Sequence, residues 1–304
     1  MSGTFINIRG KTLYVEQFGP KDAPPLLYLH GGPGESCFDF SFHQKERLGN
    51  HFHVIAIDQR GVCRSEEINE SEDFRLQDLI EDCEALREHL NIEKWSLIGH
   101  SFGGYLSLLY GRAYPSAIHK IIFECPTFDF KLSSTSLLQK TTSIARKHGK
   151  EKLATKCLSL LNDDSKSVKQ LIEEYIEFSG ELGDKRLEIY RYNHDHQTDY
   201  YAAYTEEQWE TFFDRSENHF QRLREEGEIF TSILSELKKV KKPLLLLTAE
   251  HDAVTCNQQI DCFKNEVESG EIYFFENCGH TPHYEAPDRF TNVIHDFILK
   301  EEDS

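Results

Sequence analysis

Five short runs, Leu26 to Leu29, Val54 to Ile57, Trp95 to Ile98, Ile118 to Phe123 and Leu244 to Leu247, are almost continuously apolar. A strand with water on one face alternates apolar and polar residues, so runs like these belong to strands covered on both faces. Helical patterns lie between several of them. The clearest carries Leu76, Leu79, Ile80, Cys83, Leu86 and Leu90 at three- and four-residue steps and ends near Asn91. Strands alternating with helices require right-handed crossovers, which predicts an α/β fold built on a mostly parallel sheet flanked by helices. The start of the chain reads differently. Phe5 to Ile8 and Leu13 to Gln17 have period two around Arg9-Gly10-Lys11, the pattern of a hairpin at an antiparallel edge.

This rhythm stops after Pro126 and resumes at Pro243, and amphipathic segments fill the interval. More than a hundred residues of plain loop would be unusual in a compact fold, so the interval is expected to be a helical insertion. The predicted organisation is a core segment over 1–126, a helical cap over 127–240 and a second core segment over 241–304.

Charge narrows the partners. Asp and Glu number 52 against 34 Lys and Arg, a formal charge of -18 that repels phosphate backbones and anionic membranes, so neither nucleic acid nor membrane is expected as a partner. No apolar run approaches the roughly 20 residues that cross a bilayer, and the first residues lack the pattern of an export signal. Eight cysteines contain no Cys-x-x-Cys pair. Reduced structural thiols in a cytoplasmic protein are the expectation. Oligomeric state is not readable.

The chemistry concentrates at three strand ends. Gly99-His100-Ser101-Phe102-Gly103-Gly104 stands between the Trp95 to Ile98 run and a helical run through Leu106, Leu109 and Tyr110. Gly-x-Ser-x-Gly in that context is a tight strand-to-helix turn that lifts a serine hydroxyl above the sheet, which makes Ser101 the candidate nucleophile. A neutral serine needs a histidine base, and the histidine needs an acid that fixes its tautomer. After Leu244 to Leu247 comes Thr248-Ala249-Glu250-His251-Asp252, with Asp252 the candidate acid and Glu250 its alternative. After Ile272 to Phe275 comes Cys278-Gly279-His280-Thr281-Pro282-His283, with His280 the candidate base and His283 its alternative. The order Ser, Asp, His, each after its own strand, is itself a signature. An oxyanion hole needs two backbone N–H groups, each worth about 3 kcal/mol of barrier. Phe102 supplies one; the other is expected from His30-Gly31-Gly32-Pro33-Gly34, at Gly32 or alternatively Gly31. That loop lacks the lysine and Ser/Thr of a nucleotide cradle, so no cofactor is expected. His194-Asp195-His196 does not continue into a hydrolytic metal cluster, so no metal is expected either.

Taken together, these motifs resemble the α/β-hydrolases, and among them the prolyl aminopeptidase (proline iminopeptidase) group. His30-Gly31-Gly32-Pro33-Gly34 looks like that group's His-Gly-Gly-Pro-Gly. Asp58-Gln59-Arg60-Gly61-Val62-Cys63-Arg64-Ser65 is similar to its Asp-Gln-Arg-Gly-x-Gly-x-Ser, with Cys63 where glycine is usual. The resemblance implies an α/β-hydrolase fold with an inserted helical cap, and a serine hydrolase that releases an N-terminal proline or similar residue from small peptides through an acyl-enzyme. Trp209-Glu210 and Glu217-Asn218-His219-Phe220 resemble elements whose acids bind the substrate's free amine, which implies Glu210 and Glu217 as substrate-binding residues. Residues 206 to 228 hold eight acids and three bases, a face that suits an ammonium or simply water. Tyr200, Tyr201, Tyr204, Trp209, Phe212 and Phe213 could line an acyl pocket or form packing. A carboxylesterase or lactonase acting on small acyl substrates is the alternative with the same triad. A non-catalytic ligand-binding protein on the same scaffold is the alternative of another class.

Overall fold

A computed structural model describes residues 3–193 and 200–300. The period-two segments pair as expected: β1 (Thr4–Ile8) and β2 (Lys11–Phe18) form an antiparallel hairpin, closed by Arg9 and Gly10 at φ 50° and 80°. The chain continues through β3 (Pro25–Leu29), α1 (Phe38–Leu48), β4 (His53–Asp58), α2 (Leu76–His89), β5 (Trp95–His100), α3 (Phe102–Ala113) and β6 (Ile118–Glu124). After a helical segment it returns through β7 (Leu244–Ala249), α8 (Asn257–Glu266), β8 (Glu271–Phe275), α9 (Pro282–Glu285) and α10 (Pro287–Leu299). The eight strands lie in the order β1-β2-β4-β3-β5-β6-β7-β8, parallel from β4 to β8 with the hairpin as the antiparallel edge.

The apolar runs are continuous because successive side chains enter different layers. Leu27 and Leu29 of β3 join the core under α2 and α3, whereas Leu26 and Tyr28 join the core under α1 and α10. Helices cover both faces, so a polar residue at either parity would be buried. Close approach then fixes height. A Cβ on Gly103 would lie 2.0 Å from the Leu29 carbonyl oxygen, so only glycine lets the first turn of α3 sit directly over the end of β3.

Between β6 and β7 the chain forms α4 (Phe130–Lys147), α5 (Glu151–Leu161), α6 (Val168–Gly180) and α7 (Glu206–Glu226) with short 3-10 turns, and no strand among the described residues. Leu138, Ala145, Leu153, Cys157, Leu171 and Tyr175 give α4, α5 and α6 a core of their own. That core also takes in Ala253 and Val254, which ties it to the loop after β7.

Candidate active site

Ser101 follows β5 and stands at the N-cap of α3, with φ 53° and ψ −118°. A side chain held there costs roughly 1–3 kcal/mol, and the neighbouring packing must hold it. The Ser101 amide donates to the Glu124 carbonyl at 3.0 Å, and the Ser101 carbonyl accepts from Gly104 and Thr127 at 2.9 and 3.2 Å. A Cβ on Gly99 would meet the Gly103 carbonyl oxygen at 2.3 Å, so the turn closes only with glycine there.

At the ends of β7 and β8 the two downstream partners meet. His280 Nδ1 lies 2.9 Å from Asp252 Oδ1, while the Asp252 carboxylate also accepts the Val254 and Thr255 amides at 2.9 Å each. Burial opposes charge on Asp252, but His280 and these two N–H groups outweigh it and hold the carboxyl below its usual range. Glu250 is exposed and accepts the Asn277 amide instead. His283 turns the other way: its Nδ1 lies 2.8 Å from Glu124 Oε1, and its Nε2 is 3.5 Å from Asp39. Burial would strip the proton from His283, yet Glu124 and Asp39 push its pKa up to about 10.

The glycine-rich loop after β3 completes one end. His30 Nε2 accepts the Gln59 amide at 3.0 Å, the Gln59 side chain donates to the His30 carbonyl at 3.1 Å, and His30 Nδ1 donates to the Gly31 carbonyl at 3.0 Å. Burial lowers His30 to about 4, so it is a neutral strut between two loops. Gly31 packs on Ser101, where a Cβ would lie 2.9 Å from Ser101 Cβ; Gly32, at φ 106°, opens onto the cavity beside it. Phe102 brings the first amide of α3 to the same corner.

Ser101, His280 and Gly32 share the wall of a cavity of about 610 Å³ roofed by Phe130, Ile172, Tyr175, Tyr190, Trp209 and Phe213. Residues 24–287 match the family described as alpha/beta hydrolase fold. The chain belongs to the α/β-hydrolases. It is similar to a proline iminopeptidase of Xanthomonas citri, 36% identical over 115 residues that make up 37% of this chain and 36% of that protein. That match therefore spans little more than a third of the relative's length. A proline iminopeptidase of Heyndrickxia coagulans is 23% identical over 302 residues, 97% of each chain. Among solved structures, a proline iminopeptidase-related protein of Thermus thermophilus matches with a TM-score of 0.71 at 23% identity, covering 98% of this chain and 96% of that one.

The structure departs from the sequence reading at the acids on α7. Glu210 is exposed and is not among the residues lining the cavity. Glu217 does line it, but is ion-paired with Arg224 at 2.8 Å. Their neighbours hold the helix down: His219 Nδ1 bonds the Arg60 carbonyl at 2.7 Å and Asn218 donates to the Ile68 carbonyl at 2.8 Å. Trp209 and Phe213 do line the cavity, whereas Phe212 packs on Tyr204 and Trp209. His194, Asp195 and His196 lie outside the described residues, as do the side chains of Tyr200 and Tyr201.

Cys63 has φ 48°, so the turn needs the left-handed conformation that glycine usually supplies there. Its thiol is buried and pushed up to about 12, chiefly by that burial, which leaves it a poor nucleophile. All eight cysteines are unpaired. Two groups of potential metal ligands, His100 with Glu124 and His283, and Cys125 with Asp252 and His280, are built around the two acid–histidine pairs already described.

Several residues that shape the site carry no motif signal. Glu285 accepts the amides of Tyr192, Asn193, Gly279 and Thr281 and so clamps the loop bearing His280. Gln259 bonds Ser133 and the Val254 carbonyl through its nitrogen and the Phe128 and Asp129 amides through its oxygen, tying the Asp252 loop to the start of α4. Glu35 lines the cavity one residue beyond the glycine-rich motif.

Proposed function

We propose that this chain is a serine hydrolase working through an acyl-enzyme, and that it releases an N-terminal proline or a similar residue from small peptides. In this reading the Asp252 carboxylate keeps the His280 proton on Nδ1, leaving Nε2 free to accept the Ser101 proton as Oγ bonds the carbonyl carbon. The carbonyl oxygen becomes negative and is received by the amides of Phe102 and Gly32. Collapse of that intermediate breaks the bond to the leaving amine, which takes the proton from His280. Water then attacks the ester with His280 as base, and Ser101 recovers its proton as the acid leaves. The segment 127–240 acts as the cap, its aromatic side chains enclosing one small residue.

The observation that carries the reading is the bond of 2.9 Å between His280 and Asp252, at a cavity whose wall also holds the strained Ser101 turn. The similarity to proline iminopeptidases supports the peptide substrate. A small-acyl esterase or lactonase is the second reading, favoured by the exposure of Glu210 and the pairing of Glu217, which weaken both expected amine contacts. A fluorophosphonate should label the wild type and not Ser101→Ala; absence of labelling in the wild type would remove the activated serine. Prolyl arylamide turned over faster than its N-acetyl form and faster than short acyl esters supports the aminopeptidase, and the reverse ranking supports the esterase.

A further inference from the structure

Among the described residues three acids line the cavity, and two of them are occupied. Asp39 is paired with Arg191 at 2.9 Å and stands 3.5 Å from both His43 and His283; Glu217 is paired with Arg224. Glu35 is different. Among the described residues its carboxylate forms no hydrogen bond or ion pair, and its exposed side chain opens onto the cavity. Desolvation against the cavity wall raises the Glu35 pKa against the pull of His280, Arg191 and His283. A cationic ligand in the cavity would supply the partner it lacks. Of the nearby cations, Arg191 is held by Asp39, His283 by Glu124, and Arg186 donates to Ser179.

Position makes the chemistry specific. A Cβ placed on Gly31 would lie 2.9 Å from Ser101 Cβ and 3.0 Å from Glu35 Oε2, so the acid and the serine stand no farther apart than those two distances laid end to end. In an α-amino acyl group the nitrogen is about 2.5 Å from the carbonyl carbon, one Cα away. A charge-assisted hydrogen bond adds about 2.8 Å. An anchor for that nitrogen must therefore sit within about 5 Å of the carbon that the serine attacks, a neighbourhood within reach of the Glu35 carboxylate. Glu210 lies outside the cavity lining, and Glu217 would have to leave its arginine.

We propose that Glu35, carried by the same loop as Gly32, receives the charged nitrogen next to the scissile carbonyl, so that the acyl group this site selects is an α-amino acyl cation. This rests on the reading of Ser101 as nucleophile and deepens it by naming the residue that sets specificity. Joining the anchor to the oxyanion loop fixes the ammonium and the carbonyl oxygen in one frame, since both are held by residues 32 to 35.

The test is a ratio of kcat/KM values on the full chain, for prolyl arylamide against cyclopentanecarbonyl arylamide, the same ring with a methylene in place of the charged nitrogen. Wild type should favour the prolyl substrate strongly. Glu35→Gln should lower the ratio by about 10- to 100-fold, mostly through KM, and Glu35→Asp should restore part of it. Fluorophosphonate labelling of each variant checks that the serine is intact, and Glu35→Ser replaces Glu35→Gln if the latter does not fold. A wild type that favours the prolyl substrate with a ratio unmoved by Glu35→Gln or Glu35→Ser would overturn the role of Glu35 while leaving the aminopeptidase reading standing. A wild type that labels and cleaves cyclopentanecarboxylate esters but ignores the prolyl substrate would overturn both.

Discussion

Asp252 is the residue on which the proposed proton relay turns, because its carboxylate is bonded to His280 and to two backbone amides at once. Asparagine has nearly the same shape but offers one acceptor oxygen, and its NH₂ would face either an amide donor or the His280 nitrogen. The wrong imidazole tautomer then points a proton at Ser101. Asp252→Asn is expected to lower kcat by about 10³- to 10⁴-fold. A loss below tenfold in a variant that unfolds at the wild-type denaturant midpoint would count against Asp252 as the orienting acid. That Ser101, Asp252 and His280 would be placed at one end of the sheet was legible in the sequence, because each follows its own strand and the fold must bring neighbouring strand ends together. His280 was preferred to His283 in the sequence, and the bond from His283 to Glu124 gives the second histidine a different partner. Glu35 was not legible, since nothing in a Gly-Glu-Ser loop tells whether the acid faces a cavity or water. Glu210 failed for a related reason: an acid on an amphipathic helix has a direction only after the helix is docked.

At the scale of elements, α7 is held by side-chain-to-carbonyl bonds more than by apolar burial, with His219 and Leu223 its buried residues. His219 and Asn218 reach the Arg60 and Ile68 carbonyls, while Arg215 donates to the Cys63 and Ser65 carbonyls at 3.2 and 3.3 Å. The loop they grip is the Asp58 to Ser65 motif. That motif is rigid because Arg64 is bound to Asp58 and Glu16 and lies 3.9 Å over the Tyr14 ring. Its conspicuous sequence is thus explained by architecture: it is the floor on which α7 and the His30 loop rest. His219→Ala should cost about 2–4 kcal/mol, from the ring lost against Phe74 and the unpaired Arg60 carbonyl. Labelling of Ser101 by a fluorophosphonate should keep its wild-type rate within about twofold, since the serine, acid and histidine stand on other elements. Denaturant unfolding and labelling kinetics on the same preparation read both; a large fall in labelling with unchanged stability would instead make α7 part of the relay. All eight strands could be read, five from apolar runs, the hairpin pair from period two and the last from Ile272 to Phe275. The course of α7 could not, because its polar contacts depend on a loop 150 residues away.

For the whole molecule, the buried histidines set the response to pH. His30 and His219 are enclosed and neutral, lowered to about 4 and about 3 by burial, and burial also holds His100 well below its usual value. The unfolded chain takes up protons on these rings near pH 6.5 while the folded chain does not, so stability falls as pH drops below about 6.5. His283 runs the opposite way. Its folded pKa of about 10 lies above the unfolded value, so its contribution is complete below about pH 6.5 and is lost as pH rises toward 10. Buried thiols reinforce the alkaline side, since burial raises Cys83 and Cys278 above the values at which an unfolded chain ionises. Urea unfolding at intervals from pH 4.5 to 10 should therefore show greatest stability near pH 6.5 with a decline on either side. His219→Gln, which keeps a polar side chain without the titrating ring, should flatten the acid limb by about one proton. An acid limb that keeps its full slope in that variant would mean that His219 is protonated in the folded protein. Its ring would then have to satisfy a second N–H in surroundings where Nε2 has no partner among the described residues.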